Sequence, residues 1–288
     1  MRVFRATDRF WNSNRWLSLI NVEEMIEIKT EKNLRSVQRL SFCYLCGKEF
    51  RQGDKVTRDH IIPKAVFLTQ DRTKPLILPT HEKCNQEQSI TDEITGQLIS
   101  TLNKKYPARK NIRLKLSIQN ESNVRHPVLV LEGIDLRGVI ARWIKGFHAT
   151  LYHEYLPHNT KHWFEPPVSV GQRKGNSVVF NKIGPYIPLI VETIKKNRKA
   201  GRLDRIECFN SKCVYECTWE RLDDGRWACF FALKIYDWEN LGDLLNFPKK
   251  GCVGWYMPPT SKPESAVEGV TRFLEIPCRN TEPLNPFE

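Results

Sequence analysis

Apolar positions fall into two periods along this chain. Ile90, Ile94, Leu98 and Leu102 recur every four residues, which draws one face of a helix. Ile112, Leu114, Leu116 and Ile118 alternate with Arg113, Lys115 and Ser117, the period of a strand, and residues 128–131 read as its partner. Asp135 then opens a long helix whose apolar stripe is Leu136, Val139, Ile140, Trp143, Ile144, Phe147 and Leu151. Arg137, Arg142, Lys145 and His148 form its opposite, polar side, and Pro157 stops it. A further helix carries Ile187, Ile190, Val191 and Ile194 and ends in Lys195, Lys196, Arg198, Lys199, Arg202 and Arg205. Residues 206–238 are dense in aromatic and branched side chains. Asp223-Asp224-Gly225 marks a hairpin turn within them, so the segment predicts antiparallel sheet.

Nearer the start the signals are shorter. Residues 22–28 suggest one short helix, and Leu34, Val37 and Leu40 another. Residues 56–62 and 76–78 read as strands stopped by Pro63 and Pro79, with Thr80 as N-cap of a helix from His81. A last short helix is expected over 266–274. The order predicts an α+β chain in four parts. These are an accessory arm over 1–40, a strand-loop-strand-helix module over 41–102, a mixed α+β domain with antiparallel sheet over 103–260, and a proline-punctuated tail over 261–288.

Composition adds partner and compartment. Forty-five Lys and Arg against 33 Asp and Glu give a net charge of +12, which favours phosphate-rich partners. The nine cysteines are odd in number and unevenly spaced, a poor disulfide framework. No stretch resembles a signal peptide and none is apolar over membrane-spanning length. The expectation is a reducing cytoplasm, where cysteines bind metal or fill cores.

Chemistry concentrates in residues 41–102. Cys43-x-x-Cys46-Gly47 is half of a zinc site, with Gly47 able to supply a positive φ. His81-x-x-Cys84 spaces two further ligands on one face of a helix start, completing a Cys3His set. Between these pairs lie Asp59 and His60. Asp59 and Asn85 are hard oxygen donors suited to Mg2+ or Mn2+, and His60 has the titration range of a general base. Asp59 and His60 alternate on a strand, so a bend before Pro63 is needed for both to address one pocket. Lys55, Arg58 and Lys64 flank the stretch as phosphate contacts. Lys195, Lys196, Arg198 and Lys199 form a second basic group that helix capping alone does not require.

Cys-x-x-Cys, then Thr57-Arg58-Asp59-His60-Ile61-Ile62-Pro63-Lys64, then Leu78-Pro79-x-His81-x-x-Cys84-Asn85, resembles the HNH endonuclease family. The resemblance covers roughly 41–95 and implies a ββα-metal fold. In it His60 is the general base, Asp59 and Asn85 hold the catalytic metal, and Cys43, Cys46, His81 and Cys84 hold structural zinc. It implies hydrolysis of phosphodiesters, with double-stranded DNA as substrate, in phage defence, restriction or a mobile element. The family often has cysteine where His81 stands. Its middle asparagine has no counterpart in Lys74-Pro75-Leu76-Ile77. That departure supports one alternative, a zinc-stapled nucleic-acid-binding protein without nuclease activity; a further alternative is the nuclease subunit of a complex that a protein partner activates. Arg142-Trp143-Ile144-Lys145-Gly146-Phe147 adds a weaker, architectural resemblance to stand-alone bacterial HNH proteins.

Other chemistry-bearing residues take plainer roles. Cys208, Cys213, Cys217 and Cys229 lack knuckle spacing and read as core filler in strands. His153, His158 and His162 surround a proline turn and read as loop or surface residues, and Asp92 and Glu93 as helix surface. Trp11, Trp16, Trp163 and Trp255 read as packing residues before base-stacking ones.

Overall fold

The computed structural model describes residues 25–37, 39–102, 115–119, 128–132, 135–165, 171–174, 177–180, 186–236 and 251–271. Trp11, Trp16, Ile112, Leu114, most of the N-terminal arm and the tail beyond 271 lie outside them. The chain is mixed α+β with a largely antiparallel sheet.

The described strands and helices follow in chain order. β1 (Glu27–Ile28), α1 (Glu31–Ser36), β2 (Val56–His60), β3 (Ile77–His81), α2 (Glu82–Gln86) and α3 (Ser89–Leu102) come first. β4 (Lys115–Gln119) and β5 (Val128–Glu132) form a separate two-stranded pair. α4 (Leu136–Tyr152), β6 (Lys161–Glu165), β7 (Gly171–Lys174), β8 (Ser177–Phe180) and α5 (Ile187–Lys199) follow. β9 (Asp204–Cys208), β10 (Cys213–Arg221), β11 (Trp227–Ile235) and β12 (Gly251–Met257) complete the series. The main sheet has the order β1-β9-β10-β11-β12-β6, antiparallel except where β1 runs parallel to β9.

That sheet is covered on both faces. Cys213, Tyr215, Cys217 and Trp219 of β10 join the large core containing α4, while Glu216 and Glu220 face Arg198 and Asn197 of α5. Phe231 and Leu233 of β11 join the α4 side, and Phe230 joins Trp163, Trp255, Ile190, Val191 and Ile194 on the α5 side. Burial on both faces explains the near-continuous apolar runs. Trp163 and Trp255 stack with centroids 5.5 Å apart inside the second core.

α4 corrects the amphipathic reading. Asp135 caps it as expected, its side chain accepting from the Arg137 N–H at 3.1 Å. Yet every residue of the helix except Gly138 is buried, Arg137, Arg142, Lys145 and His148 included. The reason is that α4 has partners on two sides. Phe147 stacks on Tyr215 of the sheet at 4.4 Å, while Ile61, just past β2, presses on Gly146. A Cβ at Gly146 would lie 2.7 Å from Ile61 side-chain carbons, so glycine permits the approach. The polar side chains find internal partners: Arg142 pairs with Asp92, the Lys145 Nζ lies 3.0 Å from the His158 Nδ1, and His148 contacts the Tyr256 hydroxyl at 3.0 Å.

Other expectations also change. Residues 27–28 form a strand rather than a helix, because β9 offers an edge to pair with. β3 runs on through Pro79 to His81, and Thr80 is a buried strand residue rather than a cap. A two-stranded pair has two free edges, so the missing proline N–H is tolerated there. Residues 266–271 form bends and a bridge from Glu268 to Trp219 rather than the start of the expected helix, whose remainder, 272–274, lies outside the described residues. His162 is a fully buried strand residue on β6, and Asp92 is ion-paired rather than plain helix surface.

Candidate metal centre

A tight turn carries the first ligand pair. The Gly47 N–H donates to the Cys43 carbonyl at 2.8 Å and the Cys43 N–H to the Lys48 carbonyl at 2.9 Å, with Gly47 at φ 76°. His81 ends β3 and Cys84 lies in α2, so the hairpin β2–β3 delivers the second pair to the turn. The ligand atoms of Cys43, Cys46, His81 and Cys84 all lie within 4.8 Å of one another.

The donor chemistry fits a zinc ion. The Cys46 Sγ sits 3.4 Å from the His81 Nδ1, so that nitrogen faces the thiols. The other ring nitrogen, Nε2, lies 3.3 Å from Asp54 Oδ2. A metal-ligating histidine commonly turns its second nitrogen to a carboxylate in this way. Burial and the neighbouring thiols of Cys43 and Cys46 push Cys84 up to about 12. Three thiols so close oppose one another's ionisation, and a bound cation would reverse that balance. Asp54 has no motif that marks it in the sequence; only its contact with His81 identifies it.

The second group lies on β2. Asp59 is only 4 % exposed, and its Oδ2 accepts from the Tyr44 hydroxyl at 2.5 Å. Asn85 is half-buried and donates through Nδ2 to the Thr57 Oγ1 at 3.1 Å. Thr57 and Asp59 are two apart on a strand and share a face, so Asn85 and Asp59 belong to the same side of β2. The Asp59 carboxylate also accepts from the His60 backbone N–H; its Oδ1 and the amide oxygen of Asn85 are the hard oxygens that the bonds to Tyr44 and Thr57 do not use. That pair fits the donor type of Mg2+ or Mn2+.

His60 follows on the opposite alternation. It remains in the regular ladder, paired with Ile77, so the bend expected before Pro63 does not fall within the strand. Burial, then the Lys64 and Arg58 charges, lower it to about 4, so it is neutral at physiological pH. Its Nε2 is buried without a hydrogen-bond partner.

Beneath Asp59 lies a charged pair absent from the sequence reading. Arg142 of α4 reaches both carboxylate oxygens of Asp92 on α3, one of them at 3.3 Å. Burial pushes Asp92 up to about 6 and Arg142 pulls against it, so the pair is ionic at neutral pH. Burial also raises Asp59, opposed by Arg142 and by the Tyr44 hydrogen bond.

The basic residues divide. Lys55 and Lys64 are exposed beside β2, Lys55 lying 3.7 Å from Glu82, and Arg58 is on the outward side of the strand. On α5, Lys195 pairs with Glu192 at 3.1 Å and Arg198 with Glu216, leaving Lys196 and Lys199 as exposed cations of that expected cluster. Cys208, Cys213, Cys217 and Cys229 are buried in or at the ends of strands. Among the described residues no helix is long and apolar enough to cross a membrane. Comparison with protein-family models, with curated proteins and with solved structures gave no match.

Proposed function

We propose that the chain is a zinc-stapled, divalent-metal-dependent endonuclease of the HNH type that hydrolyses DNA phosphodiesters. The observation that carries this reading is the hairpin-helix unit β2–β3–α2. It supplies two of the four zinc-type ligands and holds Asp59 and Asn85 on one side of the strand that ends in His60. Cys43, Cys46, His81 and Cys84 hold the structural zinc, and Asp59 and Asn85 hold Mg2+ or Mn2+. That ion, when bound, would offset charge on the scissile phosphate and the leaving oxygen. His60 is neutral at pH 7 and is the proposed base; its imidazole must turn from the opposite alternation, where its Nε2 is buried, to take the proton of a water beside Asp59 and Asn85. Lys64 and Arg58 flank it with positive charge where a phosphate backbone would lie.

The His60→Ala variant tests the assignment on plasmid DNA with Mg2+ or Mn2+. Cleavage should fall by about 10²–10⁴-fold while zinc content and fold persist. Unchanged cleavage would remove His60 as the base.

A second reading has one specific observation in its favour. Asp59 is buried and already engaged by Tyr44, as a purely structural aspartate would be. On that reading the chain binds nucleic acid through its basic surface without cutting it. Salt-sensitive DNA binding by the parent, with no cleavage at any divalent-ion concentration, would favour it.

A further inference from the structure

Tyr44 stands between the first two zinc ligands in the chain, one residue past Cys43 and two before Cys46. Its side chain does not face the thiols' solvent side. It is fully buried, and its hydroxyl donates to Asp59 Oδ2 at 2.5 Å. A phenylalanine would fill nearly the same volume without needing a partner. A buried phenol must be hydrogen-bonded or it costs free energy. Here the acceptor is the carboxylate of the strand that the knuckle packs beside. On the interior side of the same carboxylate, Arg142 is fixed by its two-pronged pairing with Asp92. Asp59 is therefore held by the Tyr44 phenol of the zinc turn and by the His60 backbone N–H, in the field of the Arg142 charge from α4, and Oδ1 is the oxygen that Tyr44 does not occupy.

We propose that Tyr44 is a positioning residue that couples the two metal sites. The zinc turn fixes the phenol, and the phenol fixes the Asp59 carboxylate so that Oδ1 is presented to the divalent ion. This rests on the reading of Asp59 as a ligand of that ion. Loss of zinc order would then weaken the second metal site through one side chain, without any ligand being shared. By reciprocity, occupancy of the second site would hold the zinc turn.

The test uses the full chain, zinc-loaded, with Mn2+ as the probe and its binding followed by electron paramagnetic resonance. Tyr44→Phe removes one oxygen atom. It should keep its zinc and its circular dichroism, and should bind Mn2+ about tenfold more weakly, in the range expected for loss of a group that orients a ligand. In an Asp59→Asn background, Tyr44→Phe should change the residual Mn2+ affinity little, because the acceptor it orients is already altered. Parent-like Mn2+ binding by zinc-loaded Tyr44→Phe would overturn the proposal while leaving Asp59 as a ligand. Parent-like binding by Asp59→Asn alone would overturn the ligand assignment and the coupling with it. A measurement on the parent needs no variant to fold. Saturating Mn2+ should tighten zinc binding by about fivefold or more in equilibrium competition with a zinc-selective chelator, and an unchanged zinc affinity would overturn the coupling.

Discussion

His81 turns one ring nitrogen to the thiols and the other to Asp54, and that second contact is worth testing by itself. Asp54 also accepts from the Arg51 N–H at 2.7 Å; that bond, with the contact to His81, keeps its carboxyl below the usual range. It is thus an anionic acceptor aimed at the imidazole at neutral pH. Asp54→Ala should weaken zinc by roughly 10–100-fold in chelator competition, and Asp54→Asn, which keeps an acceptor oxygen, should recover part of the loss. Equal zinc affinity in Asp54→Ala and the parent would show that His81 is oriented by other means. Glu220 gives a second residue-scale case, on the far face of the sheet. It is 1 % exposed; its Oε1 accepts from Asn197 Nδ2 at 2.5 Å and its Oε2 has no side-chain partner. Burial pushes it up from 4.5 to about 7 against the pull of Asn197. A carboxyl raised on folding stabilises the native state most below its unfolded value, and that contribution fades as pH rises through the folded value. The chain should therefore lose on the order of 3 kcal/mol from this group between about pH 4.5 and 7. Glu220→Gln should flatten that slope and leave the variant the more stable protein at pH 8. Denaturant midpoints measured across this range decide it, and an unchanged slope would exclude Glu220 as its source.

At the scale of elements, α4 is where the fold turns. Gly146 is the point of contact, because any Cβ there meets three Ile61 carbons at 2.7–2.8 Å. Alanine has the better helix propensity by up to about 1 kcal/mol, yet overpacking in a filled core costs about 1–3 kcal/mol. Gly146→Ala should therefore lower the unfolding free energy, and Ile61→Val beside it should restore part of the loss in a double-mutant cycle. A stabilised Gly146→Ala would mean that the hairpin does not bear on the helix. The same helix marks the limit of what the sequence discloses. Its start at Asp135 and its stripe from Leu136 to Leu151 are legible because the first turn and the period are local properties. The fate of Arg142 and His148 is not local, since Arg142 meets Asp92 50 residues upstream and His148 meets Tyr256 108 residues downstream. One signal was present: residues 136–152 contain four cationic or imidazole side chains and no acid, whereas solvated faces usually mix both signs. β1 was hidden for the same reason, as two residues become a strand only when β9 presents its edge. The ligand set of Cys43, Cys46, His81 and Cys84 was legible because spacing alone brings each pair together. Tyr44, Asp54, Asp92 and Arg142 were not, because each acquires its role through a partner distant in the chain.

Across the whole molecule, one apolar cluster runs from Ile28 and Leu34 through Tyr44, Ile61 and Leu98 to Tyr256 and Ala266. The expected division at residue 102 therefore crosses a continuous core rather than a seam. This changes what metal removal should do. In a module joined by a linker, losing zinc would unfold that module and leave the sheet domain melting as before. Here Tyr44, next to Cys43, is packed in the same cluster as Phe147 and Tyr215, so the knuckle's order belongs to the global transition. A ligand that binds only the native state adds about 4 kcal/mol at a thousandfold excess over its Kd. For a chain of this size each kcal/mol moves Tm by roughly 2–4 °C. Stripping zinc from the full chain should therefore lower a single transition by roughly 8–16 °C, with near-UV and far-UV signals falling together. A new low-temperature transition, with the main one unmoved, would instead identify residues 41–102 as an independently melting unit and refute the shared core as an energetic whole.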